Sequence, residues 1–242
     1  MTRQMDERTT NRTYDVWAKV YDHTFGALLH RGQSRAVEQL RTRLKPGDRV
    51  LDIGVGTGIM LQYFPRDVTV VGLDLSAGML DKARRRCQEL QLSHCHLVRA
   101  DAMAPPFEEQ SFDHVIISHT ISVVSDPARL LKLAGRLVKP GGRIVVLNHF
   151  LSTQPVIAWL EKVLNPLFVK LGWRSDLSLE SILPGTELHV EYRFKLRLLD
   201  VWQIIVLTHE SQIRPRPHSS PAVGEDSPPA QHMGAFDQLS YP

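Results

Sequence analysis

The sequence is poor in cysteine and lacks any long apolar run. Cys87 and Cys95 are the only cysteines among 242 residues, and no His or Cys cluster surrounds them, so we expect two free thiols and no metal site. No window reaches the roughly 18 unbroken apolar residues that a membrane-spanning helix needs. The first 15 residues are polar and charged, unlike a signal or transit peptide. These absences predict a protein that stays in the cytoplasm.

The sequence also lacks a large excess of one charge. Its formal net charge is +3, which is too mild for a protein that binds nucleic acid. The balance is compatible with an anionic membrane surface as a partner, since each Lys or Arg near anionic lipid contributes about 1 kcal/mol. An apolar fraction of 43% and a length of 242 residues suit one α/β domain.

Strands and helices alternate through the middle of the chain. Residues 12–44 have the apolar spacing of an N-terminal helical arm. Five short apolar strands are predicted at Arg49–Ile53, Thr69–Leu73, His96–Arg99, His114–Ser118 and Arg143–Leu147. Helical patterns lie between them, near Met60–Phe64, Gly78–Leu90 and Pro127–Val138. This alternation predicts a doubly wound α/β fold with a mostly parallel sheet covered on both faces.

The last third of the chain departs from this alternation. Residues 151–185 have a largely helical pattern and form a predicted insertion, and two strand-like runs follow at His189–Leu198 and Val201–His209. The simplest arrangement of these runs is an antiparallel pair that closes the sheet. From about residue 213 the chain is rich in Pro, Ser, Gly and His, which predicts a disordered tail. The predicted units are therefore an arm or lid (1–45), a main domain (46–212) and a tail (213–242).

The strongest local signal is a glycine-rich turn directly after the first strand. Gly54, Gly56 and Gly58 follow one another with the spacing G-x-G-x-G. Glycine permits a sharp turn and a close approach of a ligand, and we expect the next helix to direct free N–H groups at that ligand. The spacing differs from the G-x-G-x-x-G of dinucleotide folds, which bring a pyrophosphate to this helix. A tight turn without any ligand is the alternative.

Two acidic residues follow neighbouring strands at the same predicted edge of the sheet. Asp74 ends the second strand, 20 residues after Gly54, and a carboxylate there can accept both hydroxyls of a ribose. The alternative is that Asp74 caps the helix that begins near Ser76. Asp101 follows the third strand, where it can accept the amino group of an adenine. Alone it would be an ordinary loop residue, but together the signals predict a nucleoside site.

With the turn Lys139–Gly142, these motifs over residues 49–150 resemble the class I S-adenosylmethionine-dependent methyltransferases. The resemblance implies a seven-stranded sheet whose last strand is antiparallel, with S-adenosylmethionine as cofactor and S-adenosylhomocysteine as product. It assigns Asp52 and the glycines to the methionine part, Asp74 to the ribose and Asp101 to the adenine. The cofactor-binding positions that it implies are Tyr21, Asp52, Gly54, Gly56, Gly58, Asp74, Leu75, Met79, Asp101, Ala102, Met103 and Ser118.

The flanks of this core carry a second resemblance. Residues 14–22 look like the N-terminal arm of bacterial methyltransferases that act on lipids and quinones, where the arm is a lid and a tyrosine such as Tyr21 covers the cofactor. Packing of Tyr21 into the core is the alternative. With segments 26–31, 148–150 and 171–176, the pattern is similar to the soluble bacterial phosphatidylethanolamine N-methyltransferases. This resemblance implies stepwise methylation to phosphatidylcholine by a monomer docked on the anionic inner face of the cell membrane.

A phospholipid ammonium must lose a proton before its nitrogen can attack a methyl group, so a proton acceptor is required. His119 and His149 follow the fourth and fifth strands at the carboxyl edge of the sheet, where ligands bind in open α/β folds. Tyr21 is the third candidate, and a capping role is the alternative for each histidine. The residues that would orient the headgroup or meet its phosphate are Ser118, Thr120, Arg31 and Arg174.

Three other functions share parts of this pattern. A quinone or other small-molecule C-methyltransferase would have the same core and arm, with a ring carbon as acceptor. A nicotinamide-dependent oxidoreductase is disfavoured by the G-x-G-x-G spacing. A non-catalytic domain that keeps the fold is the third, although the intact acids Asp52, Asp74 and Asp101 argue against a loss of cofactor binding.

Overall fold

The computed structural model describes residues 26–150, 177–195 and 202–209, together with Val163 alone from the segment between the first two ranges. For residues 26–31 only the backbone is described. The helices are α1 (Gly26–Arg41), α2 (Ala77–Glu89), α3 (Pro127–Leu137) and α4 (Leu179–Ile182), with a 3-10 helix at Ile59–Tyr63. The strands are β1 (Arg49–Ile53), β2 (Thr69–Asp74), β3 (Cys95–Arg99), β4 (Phe112–Ser118), β5 (Val138–His149), β6 (Leu188–Lys195) and β7 (Trp202–His209).

The seven strands form one sheet in the order β3-β2-β1-β4-β5-β7-β6. Strands β1 to β5 are parallel, and β7 runs antiparallel to both β5 and β6. This confirms the mostly parallel sheet with an antiparallel last strand. The chain moves outward from β1 to β3 and then returns to β4, so the strand order reverses between β1 and β4. Ligands in open α/β sheets bind beside such a reversal, outside the carboxyl ends of the strands.

Alternating side chains of each central strand bury two separate cores. Leu51 and Ile53 face one side of the sheet, where they pack in one cluster with Leu130 and other residues of α3. Val50 faces the opposite side, where it packs in a second cluster with Val37 of α1. Successive strand residues point to opposite faces, so a strand covered on both sides is apolar along its whole length. The doubly wound arrangement predicted from the alternation of strands and helices is therefore confirmed.

Local capping explains where α2 and α3 begin. The Ser76 hydroxyl accepts the N–H of Met79 at 3.2 Å, and the Asp126 carboxylate accepts the N–H of Arg129 at 2.9 Å. Such caps satisfy N–H groups that have no partner inside the helix. Pro127 occupies the first turn of α3, where its missing N–H costs nothing.

Two predicted elements have a different form in the structure. The helix expected near Met60–Phe64 is a 3-10 helix of five residues, Ile59–Tyr63. The strand expected at Arg143–Leu147 is part of β5, which begins at Val138 and contains the predicted turn as an irregularity in its pairing with β4. A Cβ on Gly142 would lie 2.2 Å from the carbonyl oxygen of Asp113, so the strands approach closely there because glycine has no side chain.

The ends of the predicted units lie partly outside the described residues. Residues 12–25 of the predicted arm, most of the insertion and the tail from 213 are not among them, so the unit boundaries stay predictions. The described end of the insertion belongs to the core, since Leu177 and Ile182 are buried there. Cys87 and Cys95 carry free thiols, as expected. No helix within the described ranges is long and apolar enough to cross a membrane.

Candidate functional site

A pocket of about 210 Å³ opens at the carboxyl edge of the sheet. It lies where the strand order reverses, and the segments that follow four different strands line it. Gly54 follows β1, Asp74 ends β2, Asp101 follows β3 and Ser118 ends β4. The parallel sheet therefore brings together Gly54 and Ser118, which lie 64 positions apart in the sequence. The predicted convergence of the three motifs is present.

The glycine turn approaches the end of β4 more closely than any side chain would permit. Gly54 has a φ of +75°, and a Cβ added to it would lie 1.8 Å from the Thr120 hydroxyl oxygen. That hydroxyl lies 3.2 Å from the carbonyl oxygen of Ile53 and 3.0 Å from that of Ser118. Thr120 thus joins the ends of β1 and β4 and forms part of the pocket floor. The Thr120 hydroxyl has one proton, for which these two carbonyls compete. In its predicted contact with a headgroup, Thr120 would therefore accept a hydrogen bond through a lone pair.

The turn donates its N–H groups within the chain, not to a ligand. The N–H groups of Gly54 and Val55 donate to the Leu73 carbonyl at 2.7 and 3.0 Å. The N–H of Gly56 donates to the Asp74 carboxylate at 2.9 Å. The free N–H groups expected from the sequence belong to the helix that follows, Ile59–Tyr63, and these three hydrogen bonds lie before it. A pyrophosphate would lose these donors and meet a carboxylate, so the geometry also disfavours a dinucleotide.

Gly58 has a packing function in this structure. Its φ is +74°, and a Cβ on it would lie 3.0 Å from the Cβ of Ala83 on α2. Gly58 does not line the pocket, whereas Gly54 and Gly56 do. The predicted cofactor contact of Gly58 is thus not found among the pocket-lining residues, because the third glycine of the turn faces α2.

Asp74 connects the glycine turn to the start of α2 and still faces the pocket. Its two carboxylate oxygens accept the N–H groups of Gly56 and Ser76, both at 2.9 Å. Burial raises the pKa of Asp74, while these backbone N–H groups oppose the rise. Each carboxylate oxygen has a second lone pair, which is available to a ribose hydroxyl. Ser76 is the N-cap of α2, so the alternative that Asp74 caps this helix is wrong.

The predicted adenine side combines one acid with apolar surfaces. Asp101 accepts the N–H of Met103 at 2.8 Å, which holds the loop after β3 against the pocket. Ala102 and Met103 also line it. On the facing side Met79 is buried, and Leu75 lies at the pocket with 41% of its surface exposed. An aromatic base between such side chains would bury this exposed apolar surface, so these residues fit an adenine.

Asp52 is an acid buried at the end of β1. Only 1% of its surface is exposed, and neither carboxylate oxygen has a hydrogen-bond partner in the part of the chain that the structure describes. Burial, and secondly the nearby charge of Asp74, raise the pKa of Asp52 to about 7. A buried charge without a partner is costly, so the site fits a cationic ligand group such as the ammonium of S-adenosylmethionine. Asp52 itself is not among the residues that line the pocket.

His119 lines the pocket, whereas His149 does not. Burial lowers the pKa of His119 to about 4, so its ring is neutral at neutral pH. The ring packs edge-on against Trp202, with 5.0 Å between the ring centroids. The backbone of His119 has a φ of +57° and donates its N–H to the Leu147 carbonyl at 2.8 Å. His119 is therefore held firmly in the site as a weak base.

The remaining predicted contacts are only partly described. Ser118 lines the pocket, and its hydroxyl oxygen is buried without a partner among the described residues, so it is available to a ligand. Tyr21 and Arg174 lie outside the described residues, and of Arg31 only the backbone is described. The contacts assigned to these three side chains stay predictions.

Sequence reasoning missed Gln33 of α1, which lines the pocket. The signal was present in the spacing, because Ala36, Val37 and Leu40 form a buried stripe on α1. Gln33 lies three positions before Ala36 and four positions before Val37. Residues at these spacings share one face of a helix, so Gln33 lies on the buried face, one turn earlier. The loop residues Val123 and Ser125 also line the pocket, and no spacing pattern indicated them.

Comparisons with known proteins agree with this site. A family model described as a methyltransferase domain matches residues 51–146. The chain is 34% identical over 187 residues to a phosphatidylethanolamine N-methyltransferase of Cereibacter sphaeroides, covering 77% of this chain and 90% of that protein. It is 30% identical over 187 residues to a demethylmenaquinone methyltransferase of Bacillus cereus, covering 71% of this chain and 78% of that protein.

A solved structure extends the agreement to the fold. A SAM-dependent methyltransferase of Thermotoga maritima, described as a possible histamine N-methyltransferase, matches with a TM-score of 0.59 and 22% identity. The match covers 82% of this chain and 99% of that one. At this identity the likeness concerns the fold alone.

Proposed function

Because the chain belongs to the class I S-adenosylmethionine-dependent methyltransferases, we propose that it methylates the amine of phosphatidylethanolamine stepwise towards phosphatidylcholine. The observation that carries the proposal is the 34% identity to a phosphatidylethanolamine N-methyltransferase over 90% of that protein. The alignment of 187 residues extends well beyond the methyltransferase domain at 51–146. It therefore includes segments outside that domain.

The cofactor is S-adenosylmethionine, which supplies an electrophilic methyl group on a sulfonium sulfur. Asp74 would hold its ribose, Asp101 and Leu75 its adenine, and Asp52 would balance the charge of its ammonium. The main task of the chain is to hold the acceptor nitrogen in line with the methyl group, because the leaving sulfur becomes neutral and needs little stabilisation.

His119 is suited to orient the acceptor amine. Its Nε2 is buried and has no partner among the described residues. In the tautomer whose Nε2 carries no proton, the ring accepts an N–H of the primary or secondary headgroup amine and directs the nitrogen in the first two transfers. The tertiary amine of the third transfer has no N–H after it loses its proton, so this contact does not orient it. A ring whose pKa is about 4 holds a proton poorly, so the proton of the ammonium passes on to water. His119 then acts by position more than by basicity.

We further propose that the protein docks on anionic membrane surfaces through segments other than the face of β6. Two cations near that face are already paired. Arg193 contacts Glu180 at 3.0 Å, and Arg43 contacts Glu191 at 2.9 Å. In the sequence, residues 1–45 carry nine Lys or Arg against five Asp or Glu. A basic segment of this kind is attracted to a negative leaflet.

Vesicle flotation tests the docking proposal directly. We expect the protein to float with vesicles that contain anionic lipid and to stay behind with purely zwitterionic vesicles. High salt should release it, because charge attraction at a surface is screened. Equal recovery with both vesicle types would contradict the proposal.

The second candidate is methylation of a quinone ring carbon. It is favoured by the 30% identity to a demethylmenaquinone methyltransferase, which covers 78% of that protein. The same pocket would then hold an aromatic ring, and His119 would face a ring hydroxyl in place of an amine. Lower identity and lower coverage make this the weaker candidate.

One assay separates the two acceptors. The protein is incubated with S-adenosylmethionine labelled in its methyl group and with vesicles that contain both phosphatidylethanolamine and a demethylated naphthoquinol, and the labelled lipids are then identified. We expect label in mono-, di- and trimethylated phosphatidylethanolamine, and none with the Asp74→Asn variant. Label in the quinol alone would refute the phospholipid proposal. Label in neither lipid would reject both acceptors.

A further inference from the structure

The only two cysteines of the chain lie side by side at one edge of the sheet. Cys87 is in the last turn of α2, and Cys95 begins β3, which is an edge strand. Both are half-buried free thiols that pack against the same cluster of core residues, and the two thiols form a hydrogen bond with each other. Neither cysteine lines the pocket described above, so the proposed function leaves this pair without a role.

The backbone between the two cysteines holds them in this arrangement. The N–H of Leu92 donates to the Cys87 carbonyl at 2.8 Å, and the N–H of Cys95 donates to the Leu92 carbonyl at 3.1 Å. Leu92 is itself buried in the same cluster. Arg66 ties the segment a second time by donating to the carbonyls of two residues in it. The two thiols are therefore held together before any reaction, and groups held in this way react as if at high concentration.

Both cysteines are accessible from solvent. They line an open groove of about 570 Å³, whose other lining residues are mostly polar and include Arg84, Gln88 and His96. A small molecule can therefore reach the thiols in the folded protein. The described residues contain no group of three or more side chains that could hold a metal ion, so the pair lacks the further ligands that a structural zinc ion takes.

The two thiols differ in their readiness to react. Burial raises the pKa of both, that of Cys95 to about 12. The charge of Arg86 opposes the rise at Cys87, whereas a thiolate on Cys87 adds to the rise at Cys95. Only a thiolate attacks a disulfide, so Cys87 reacts first. Once the sulfur of Cys87 is bonded to another sulfur it has no charge, and one cause of the raised pKa of Cys95 is removed.

We propose that Cys87 and Cys95 form a reversible dithiol–disulfide site whose oxidants are small disulfides, with Cys87 as the attacking and Cys95 as the resolving thiol. The Cys87 thiolate attacks one sulfur of the small disulfide, and the other half leaves as a thiolate that takes up a proton. Cys95 then loses its proton and attacks the Cys87 sulfur, which expels the second half as a thiol. Two protein thiols are oxidised and one small disulfide is reduced to two thiols, and an excess of thiol reverses both steps.

Mass spectrometry of the intact protein tests this proposal. The reduced, folded protein is mixed with hydroxyethyl disulfide, the reaction is stopped with acid at intervals, and the masses are measured. An internal disulfide removes two hydrogen atoms, whereas a mixed disulfide adds the mass of half the reagent. The matched variants are Cys87→Ser and Cys95→Ser, each of which keeps one thiol. Circular dichroism shows whether they are folded, and the alanine variants replace a serine variant that is not.

We expect the wild type to form the internal disulfide without accumulating the mixed disulfide, because the second thiol is already in contact with the first. Dithiothreitol should restore the reduced mass. Cys95→Ser should form its mixed disulfide about tenfold faster than Cys87→Ser, because more of the Cys87 thiol is ionised. A mixed disulfide that persists on the wild type, a dimer linked by a disulfide, or no reaction of the wild type would each overturn the proposal. Equal or reversed rates of the two variants would also overturn it, since the attacking thiol would not be Cys87.

Discussion

Replacement of Asp52 by asparagine should make the cofactor-free protein more stable, and more so at higher pH. Asparagine keeps the volume of the side chain and removes the buried charge. The folded protein holds the pKa of Asp52 at about 7, against an ordinary value of 3.8. Below both values the carboxyl is neutral in the folded and unfolded states. As the pH rises from 3.8 towards 7, only the unfolded state ionises, so stability falls.

The magnitude follows from these two pKa values. Above pH 7 the ionised Asp52 costs the folded wild type about 4 kcal/mol. At pH 5 the cost is about 2 kcal/mol, so the advantage of Asp52→Asn should grow by about 2–3 kcal/mol between pH 5 and pH 8. The prediction concerns only the increase between the two pH values. Any difference in stability between the neutral aspartic acid and the asparagine is the same at every pH, so it cancels when two pH values are compared.

Urea denaturation of the free protein at pH 5, 6, 7 and 8 measures this growth. The control is Asp81→Asn on α2, whose carboxylate is 62% exposed beside Arg84 and should change stability by at most about 0.5 kcal/mol. In the same samples Asp52→Asn should lose S-adenosylhomocysteine binding, because the ammonium loses its counter-charge. A stability difference between wild type and Asp52→Asn that is flat with pH would refute the buried, unpaired state of Asp52.

Three further changes test other parts of the fold and site. Gly54→Ala should lower the free energy of unfolding by about 2–4 kcal/mol, because the added methyl group meets Thr120. The control Gly47→Ala, at φ +86° with open space around it, should lower it by about 1 kcal/mol. Equal losses in urea denaturation would argue against the close approach of Gly54 to Thr120. Asp126→Ala removes the cap of α3 and should cost about 1 kcal/mol in the same assay, and no loss would show that the cap contributes nothing. His119→Ala should slow methyl transfer about 100-fold with little change in S-adenosylhomocysteine affinity, and an unchanged rate would exclude His119.

The parallel core could be predicted because its signals are local. The strands β1 to β4 are short, mostly apolar segments of five to seven residues, and their alternation with helical segments indicates a parallel sheet covered on both faces. Asp74 and Asp101 could be assigned because a strand end in a parallel sheet always lies at the same edge. Their positions along the chain therefore determine their positions in space.

Partners across the sheet could not be predicted in the same way. The third glycine of the turn was assigned to the cofactor, but Gly58 packs on Ala83 of α2. Nor did any spacing indicate that the Asp74 carboxylate accepts the N–H of Gly56. Both outcomes depend on how closely β2 and α2 approach the turn, which is a distance between segments that lie far apart in sequence.

The amino-acid sequence by itself determined the order of strands and helices, the edge at which the ligand site lies and the chemical class of the cofactor, because these depend on apolar periodicity and on short spacings. Only the tertiary structure decided which polar groups are left without partners there. The unsatisfied oxygens of Asp52 and Gln33 and the neutral ring of His119 follow from burial. That burial depends on the packing of α1 against the sheet and on the position of β7 within it.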